Sequence, residues 1–528
     1  MGASQSQPAA APPSASASLR EKSAAAHSSS TPPSSATTRH HSADRRLKID
    51  AEAQAGHLSH RPASNALAIS GMKQWEKKIQ DDPVSRLAQL TLHNASANAS
   101  LHRRKAEVVE TFVFNTALDL EVSPVSNQMS SGRCWLFATM NCVRLEMIKT
   151  LGVQEFELSK SYLHFFDKLE KANYFLEQIL DLYDDEIDSR IVGYLKGDPV
   201  GDGGQFSMVA NLLIKYGVVP MDVYPESFNT SRTSGINELI TRKLREHALI
   251  LRSLKRETVA KLSNTLAPAQ AEAAADKICR QRKDAMMEEI YRVLVIMDGN
   301  PPKPDEPFTY EYRDTKNQFK SITMTPIEFL AKFAPGFKPL EQVSLVNDPR
   351  RQYDVSMTVS RLGNVHGESP VFYVNAHIDA MKQATIAQLK GGHPVWFGCD
   401  VGQASDTSRG ILDVDLFDYE AAFGFKFGMN KAQRIDTGES SATHAMVIVA
   451  VHLDSAGKPI RWKILNSWGP DAGHKGYLVM SDEWFSEYVL ETVIRKDYCE
   501  EKHWKLHVEG INKATHVLPP WDPFGALA

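Results

Sequence analysis

Cys134 lies in the stretch SSGRCWLFATMNCVRLEM, where a loop of small polar residues gives way to an apolar, helix-like run. A cysteine in the first turn of a helix meets unpaired backbone N–H groups and the positive end of the helix dipole. Both favour thiolate over thiol, and such settings can lower a cysteine pKa from about 8.5 into a range of roughly 3.5–7.5. A thiolate that attacks an amide then needs a proton donor for the leaving amine and stabilisation of the oxyanion. Gln128, six residues upstream, can turn its side-chain amide toward the thiol. With the backbone N–H of Cys134 it would form a two-donor oxyanion hole. The plain alternatives are a structural thiol and a solvated loop glutamine; Cys142, well inside the same run, has the structural character.

The proton donor should be one of eighteen histidines. SSATHAMVIVAVHL places His444 at the mouth of an apolar strand, and RWKILNSWG ends the next with Asn466. Between them DSAGKP reads as a turn. If the hairpin folds near Ser455 and Ala456, residues 444 and 466 fall opposite each other, their numbers summing to 910. The asparagine oxygen would accept from one ring nitrogen and leave the other facing the sulfur, with Trp468 shielding the bond. Alone, His444 would read as a satisfied histidine at a sheet edge. In GDGGQFSM, Gly203 and Gly204 lack Cβ, so an extended peptide could approach closely and pair like an added strand. By residue type alone, an ordinary turn between helices is the preferred reading there.

The elements that position these residues follow from pattern. MKQWEKKIQDD is helical and is punctuated by Asp82-Pro83. ETFVFNTALDLE (110–121) alternates as a strand, and the Cys134 run reads as a helix ended by Gly152. Residues 159–217 are mostly helical, interrupted by GDPVGDGGQ, and 235–298 are helical and charged. FTYEYRDTKNQFKSITM suggests a hairpin, and PVFYVNAHI, HPVWFGCDV, HAMVIVAVHL, RWKILNSWG and KGYLVMS are short β runs. Helices first and an antiparallel sheet second indicate an α+β fold.

The 528 residues suffice for large cores, and 42% hydrophobic and 23% charged content is ordinary for a globular chain. A net charge of −4 argues against a polycation seeking nucleic acid. The five cysteines are scattered without a CxxC pair, so no zinc site is expected, and without a P-loop or GxGxxG no nucleotide site is expected. No cofactor or metal is called for. Residues 1–65, rich in Ser, Ala and Pro, read as a disordered tail. Its opening MGASQS fits myristoylation on Gly2, or a chance match in a Ser-rich tail. Arg20, Arg39, Arg45 and Arg46 with few acids leave a mitochondrial presequence as a third reading. No apolar run reaches eighteen residues, so stable membrane insertion is not expected, and the lack of a secretory h-region points to a cytoplasmic chain with reduced thiols.

The set QMSSGRCW, THAM and LNSWG, in that order, resembles the papain-like cysteine peptidases, and most closely their branch of bleomycin hydrolases and bacterial aminopeptidases C. PVWFGCDVG and the ending PPWDPFGALA are similar to that branch too. The resemblance covers roughly 70–528. It implies a two-lobed fold: a helical lobe (66–230) with the nucleophile Cys134 and oxyanion donor Gln128, a helical insertion (231–300), and a β-barrel-like lobe (301–515) with the acid/base His444 and its orienting Asn466. A C-terminal arm (516–528) is implied to enter the cleft, its Ala528 carboxylate pairing with the substrate's free α-ammonium; a frayed terminus is the plain reading. Ser131 stands where papain-type enzymes carry a disulfide cysteine, and Met129 and Phe524 where relatives often carry Lys and Met.

By this resemblance the expected activity is aminopeptidase hydrolysis of peptides with a free N-terminus through an acyl-enzyme. Hydrolysis of the bleomycin carboxamide and of homocysteine thiolactone, and a homohexamer with inward-facing sites, are implied with it. The rival from another class is a DNA- or RNA-binding regulatory protein, with weak single-stranded nucleic-acid binding. It rests on LRSLKRETVAK and CRQRKD, which otherwise read as solvated helix faces.

Overall fold

The computed structural model describes residues 67–511 and 513–526. The myristoylation, presequence and disorder readings of the first 65 residues, and the Ala528 carboxylate, lie outside the described residues. The chain divides into two compact units: one runs up to Ser100 and includes Glu420–Gly424, the other holds Leu101–Tyr419 and Phe425 onward. In the first, helices Ile69–Asp81 and Pro83–Leu92 bury no residue. The Asp82-Pro83 break acts as an N-cap: the Asp82 carboxylate accepts from the backbone N–H groups of Val84 and Ser85 at 3.2 and 2.9 Å.

The second unit carries everything with candidate chemistry. Helix α1 (Cys134–Leu151) is apolar nearly all round and almost wholly buried, ending at Gly152 with φ +66. Helix α2 (Lys160–Asp181) starts on the Ser159 hydroxyl, which accepts from Tyr162 N–H. GDPVGDGGQ is a loop that leads into α3 (Phe206–Tyr216). The charged 235–298 segment forms two long helices, α4 (Ser234–Leu262) and α5 (Pro268–Asp298). Each buries a stripe at helical spacing: Ile236, Ile240, Leu244 and Leu251 on α4; Ala271, Ala275, Cys279, Met286, Ile290 and Leu294 on α5. Both helices pack on α2. Several of their cations are used within the unit. Lys255 pairs with Asp276 at 2.6 Å, Arg280 and Lys283 with Glu177, and the Arg252 guanidinium donates to the carbonyls of Leu182 and Asp185.

The sheet half is built on β1 (Gln342–Val346), β2 (Phe372–Asn375), β3 (Val395–Cys399), β4 (His444–Leu453), β5 (Pro459–Leu465), β6 (Tyr477–Ser481) and β7 (Val489–Arg495). Their spatial order is β2-β1-β7-β3-β4-β5-β6, extended at one end by 355–359 and 516–518 and at the other by 411–412 and 405–406. Most pairings are antiparallel, but β1–β2, β6 with 411–412, and 355–359 with 516–518 are parallel, so the sheet is mixed. The hairpin expected at 308–324 forms apart, Phe308 opposite Met324. Helix α1 packs on β4, which joins the helical half to the sheet half.

Two local expectations fail. Of 110–121 only Thr116–Ala117 is strand, opposite Val451 and Ala450. The physical reason is space: β3 already pairs with 444–448 of β4, leaving a short edge beyond it. The hairpin register is also shifted: Val447 lies opposite Leu465 and Ile448 opposite Ile464, a sum of 912. A five-residue turn closed by Asp454 and Lys458 around Ala456 accounts for the slip, and two irregularities, between His452 and Leu453 and between Ile448 and Ala450, offset each other.

Candidate active site

Cys134 is the first residue of α1, directly after the N-cap residue Arg133. Its neighbours are fixed on both sides. Arg133 donates to both oxygens of Glu226, at 3.2 and 3.0 Å, and its Nε donates to the Ser131 hydroxyl at 2.9 Å. Trp135 is fully buried, and its indole N–H donates to the carbonyl of Asp202 at 2.7 Å. Ser131 uses its hydroxyl twice, accepting from Arg133 and donating to Gln128 O at 2.6 Å. The loop is thus closed by hydrogen bonds where the resemblance would place half of a disulfide, and all five cysteines are free.

Gln128 is buried. Its Oε1 accepts from the Ser467 hydroxyl at 2.6 Å and its Nε2 donates to Ser131 O at 2.7 Å. An amide nitrogen has two N–H donors, so one is engaged with Ser131. Backbone pairing brings this loop to the sheet half: Gln128 N donates to Ser467 O at 2.8 Å, and Gly469 N to Ser126 O at 3.0 Å. Met129, between them, takes φ +53, held by its N–H on Asn127 Oδ1 at 2.9 Å.

His444 opens β4, opposite Cys399 of β3. Its Nε2 lies 2.9 Å from Asn466 Oδ1 and its ring stacks on Trp468 at 4.7 Å. Since that amide oxygen only accepts, Nε2 carries the proton and Nδ1 is the free base. The observed register runs from 444 toward 468, so Asn466, one residue past β5, reaches His444 diagonally and not from directly opposite. The Cys134 sulfur sits in reach of the backbone N–H groups of Ala445, Trp135 and Cys134 itself. The residue after His444 therefore lies near the sulfur from the helical half.

Electrostatics differ from the sequence expectation. Burial pushes the Cys134 thiol up to about 11, against the pull of those three N–H groups. Burial pushes His444 down to about 4, against its bond to Asn466. Cys134 is 2% exposed and His444 4%, so desolvation outweighs the helix N-terminus and both groups rest neutral.

The glycine pair lies beside this centre. Gly203 O accepts from Lys171 Nζ at 2.7 Å. For Gly204 the need for glycine differs from the expected one: a Cβ there would fall 2.5 Å from the Trp135 ring, so the open side is filled by the residue after the nucleophile. Gln205, next in chain, donates to Ala526 O at 2.6 Å. The C-terminal segment is anchored on the way: Asp522 pairs with Arg350 at 2.9 Å and Arg351 at 3.4 Å, and Tyr373 donates to Phe524 O at 3.1 Å. Sequence reasoning missed Ser467, Asp202 and Cys399, whose buried thiol faces His444 O at 3.7 Å. Cys399 was legible only as part of a β run. Among the described residues no cluster of three or more His, Cys, Asp or Glu could hold a metal ion, and no helix is long and apolar enough to cross a membrane.

The geometry above has close relatives. A model described as "Peptidase C1-like family" matches residues 66–525. The chain is 42% identical to aminopeptidase C of Streptococcus thermophilus, covering 81% of this chain and 92% of that one. It is 41% identical to bleomycin hydrolase of Homo sapiens (86% and 96%) and 39% identical to the mitochondrial cysteine proteinase 1 of a Saccharomyces cerevisiae strain (88% and 94%). The crystal structure of PepW from Lactobacillus rhamnosis superposes with a TM-score of 0.80 at 39% identity, covering 88% of this chain and all of that one. The chain belongs to the Peptidase C1-like family and is a cysteine-type peptidase.

Proposed function

We propose that the protein is a cysteine aminopeptidase in which Cys134 is the nucleophile, His444 the acid/base, Asn466 its orienter and Gln128 the oxyanion donor. The observation that carries this is the approach of the Cys134 sulfur to the N–H of Ala445, next to an imidazole already bonded to Asn466. The thiol proton passes to Nδ1 of His444. Burial opposes either charge alone, but the transfer creates both together. Unit charges about 4 Å apart attract by ~4 kcal/mol at an effective dielectric of about 20. The sulfur bonds to the carbonyl carbon, and the resulting oxyanion takes the N–H of Cys134 and the second N–H of Gln128. Collapse breaks the C–N bond while the imidazolium protonates the leaving amine. Water then attacks the thioester with His444 taking its proton, and the acid leaves as the thiolate is restored.

The aminopeptidase limit comes from the arm. Held by Arg350, Tyr373 and Gln205, residues 522–526 end beside the glycine pair. The partner we assign to a substrate α-ammonium is the carboxylate of Ala528. Gly203 would receive the substrate backbone, with Gly204, packed against Trp135, holding it in place. The carboxamide of bleomycin and the ring carbonyl of homocysteine thiolactone suit the same acyl-enzyme route, and a hexamer with inward-facing sites accompanies this reading.

Deleting residues 523–528 tests the arm. We expect a fall in hydrolysis of fluorogenic peptides with free N-termini and a gain on N-blocked ones. An unchanged preference for free N-termini would sink the role of the arm.

A further inference from the structure

A carboxylate beside the nucleophile loop has no part in the mechanism above. Asp202 directly precedes the glycine pair, and its side chain is 11% exposed. Four donors converge on it from three parts of the chain. Gly132 N–H, from the loop before the nucleophile, donates to Oδ2 at 2.8 Å. Lys168 Nζ, from α2, donates to Oδ1 at 2.7 Å. Asn237 Nδ2, in the first turns of α4, donates to Oδ1 at 2.8 Å, and the Thr233 hydroxyl, just before α4, donates to Oδ2. The Asp202 backbone carbonyl accepts from Trp135 as well. The approach is close: a Cβ on Gly132 would stand 2.9 Å from Asp202 Cβ. On the far side, Lys171 ties Gly201 O at 2.8 Å and Gly203 O at 2.7 Å to α2.

We propose that Asp202 is a positioning residue for the hydrolysis: its carboxylate fixes the loop that presents Cys134 against the loop that receives the substrate backbone, and ties both to the start of the inserted helices. This rests on the reading of Cys134 as the nucleophile. Bonds inside either loop cannot set their mutual distance; a shared acceptor can. An ionised carboxylate has lone pairs for four donors, whereas an asparagine offers one oxygen and turns an NH2 toward the remaining donors.

The charge of Asp202 argues for geometry over activation. Burial works against its charge, but Lys168 and the hydrogen bonds from Lys168 and Asn237 hold its carboxyl well below the usual range, while His164 beside it is kept neutral by its own burial. Besides burial, the groups acting on the Cys134 sulfur are the three N–H donors and Asp202. Asp202 disfavours the thiolate there. Removing its charge should therefore ease thiol ionisation even as it loosens the loops, a combination that general unfolding of the site would not give.

The test compares Asp202→Asn, Thr233→Val and Asn237→Ala in the full chain. It reads kcat and KM on a fluorogenic substrate with a free N-terminus and the pH midpoint of inactivation by iodoacetamide. For Asp202→Asn we expect kcat/KM to fall ~10–100-fold, mostly in kcat, as for a misplacement of about 1 Å, with the midpoint moved to lower pH. Thr233→Val and Asn237→Ala should each lose less activity and keep the parent midpoint. A folded Asp202→Asn with parental kcat/KM, or with an unmoved midpoint, would overturn the proposal. If Asp202→Asn does not fold, parental kcat/KM in both milder variants overturns it. Cys134→Ser run alongside separates the two readings: activity surviving in Cys134→Ser sinks the nucleophile assignment, whereas a dead Cys134→Ser beside a fully active Asp202→Asn sinks the positioning role alone.

Discussion

Asn466 raises the basicity of His444 through a single 2.9 Å hydrogen bond, while burial holds the imidazole down at about 4. Asn466→Ala removes the upward pull, so the imidazolium becomes harder to form. A hydrogen bond to a charged group contributes ~1.5–3 kcal/mol, so kcat should fall ~10–100-fold. The imidazole limb of the pH–kcat profile should move to lower pH. A limb that stays in place would count against Asn466 acting through His444. The pairing of His444 with Asn466 was legible in the sequence because it depends on residue type and local spacing. The upward shift of the Cys134 thiol was not legible. It arises from burial by segments hundreds of residues away, which outweighs the helix onset that could be read locally.

Among the elements, α1 and its Gly152 cap emerged from pattern because a helix stop is a local event. The β4–β5 hairpin was legible as a pair, but its register was not, since the composition of the turn does not reveal that it centres on Ala456. The 110–121 strand failed for a non-local reason, the prior occupation of β4 by β3. Strand β7 holds a further consequence. Glu491, opposite Gly398, is buried with Oε1 unpartnered, and burial raises its carboxyl to about 7 from an ordinary 4.5. The folded chain then holds this proton where the unfolded chain has lost it, so the group's contribution to stability falls as pH rises from 4.5 to 7. Glu491→Gln should flatten that part of the stability–pH curve, by ~3 kcal/mol at most. Urea unfolding at pH 5 and pH 7.5 measures it, and equal pH slopes in both proteins would refute the burial cost.

At the scale of the whole chain, the helical half carries the thiol and the sheet half the imidazole, and backbone pairing at Gln128–Ser467 joins the two loops. The order of three short motifs made this division readable before any coordinate. What motif order does not convey is how the halves are held. Asp202 collects donors from residues 132, 168, 233 and 237, and Gln205 donates to the carbonyl of residue 526. Such contacts join side chains far apart in sequence, so only the fold reveals them. The basic helices were readable from pattern, but their ion pairs were not: Lys255 pairs with Asp276, and Arg280 and Lys283 with Glu177.

The central claim is that one thiol of five does the chemistry, and active-site labelling tests it most directly. The enzyme is inactivated with E-64 and the modified peptide is mapped by mass spectrometry. The account predicts one label per chain, on Cys134, in step with loss of activity and absent from Cys134→Ser. Label on Cys142 or Cys399 with Cys134 unmodified, or peptidase activity persisting in Cys134→Ser, would contradict it.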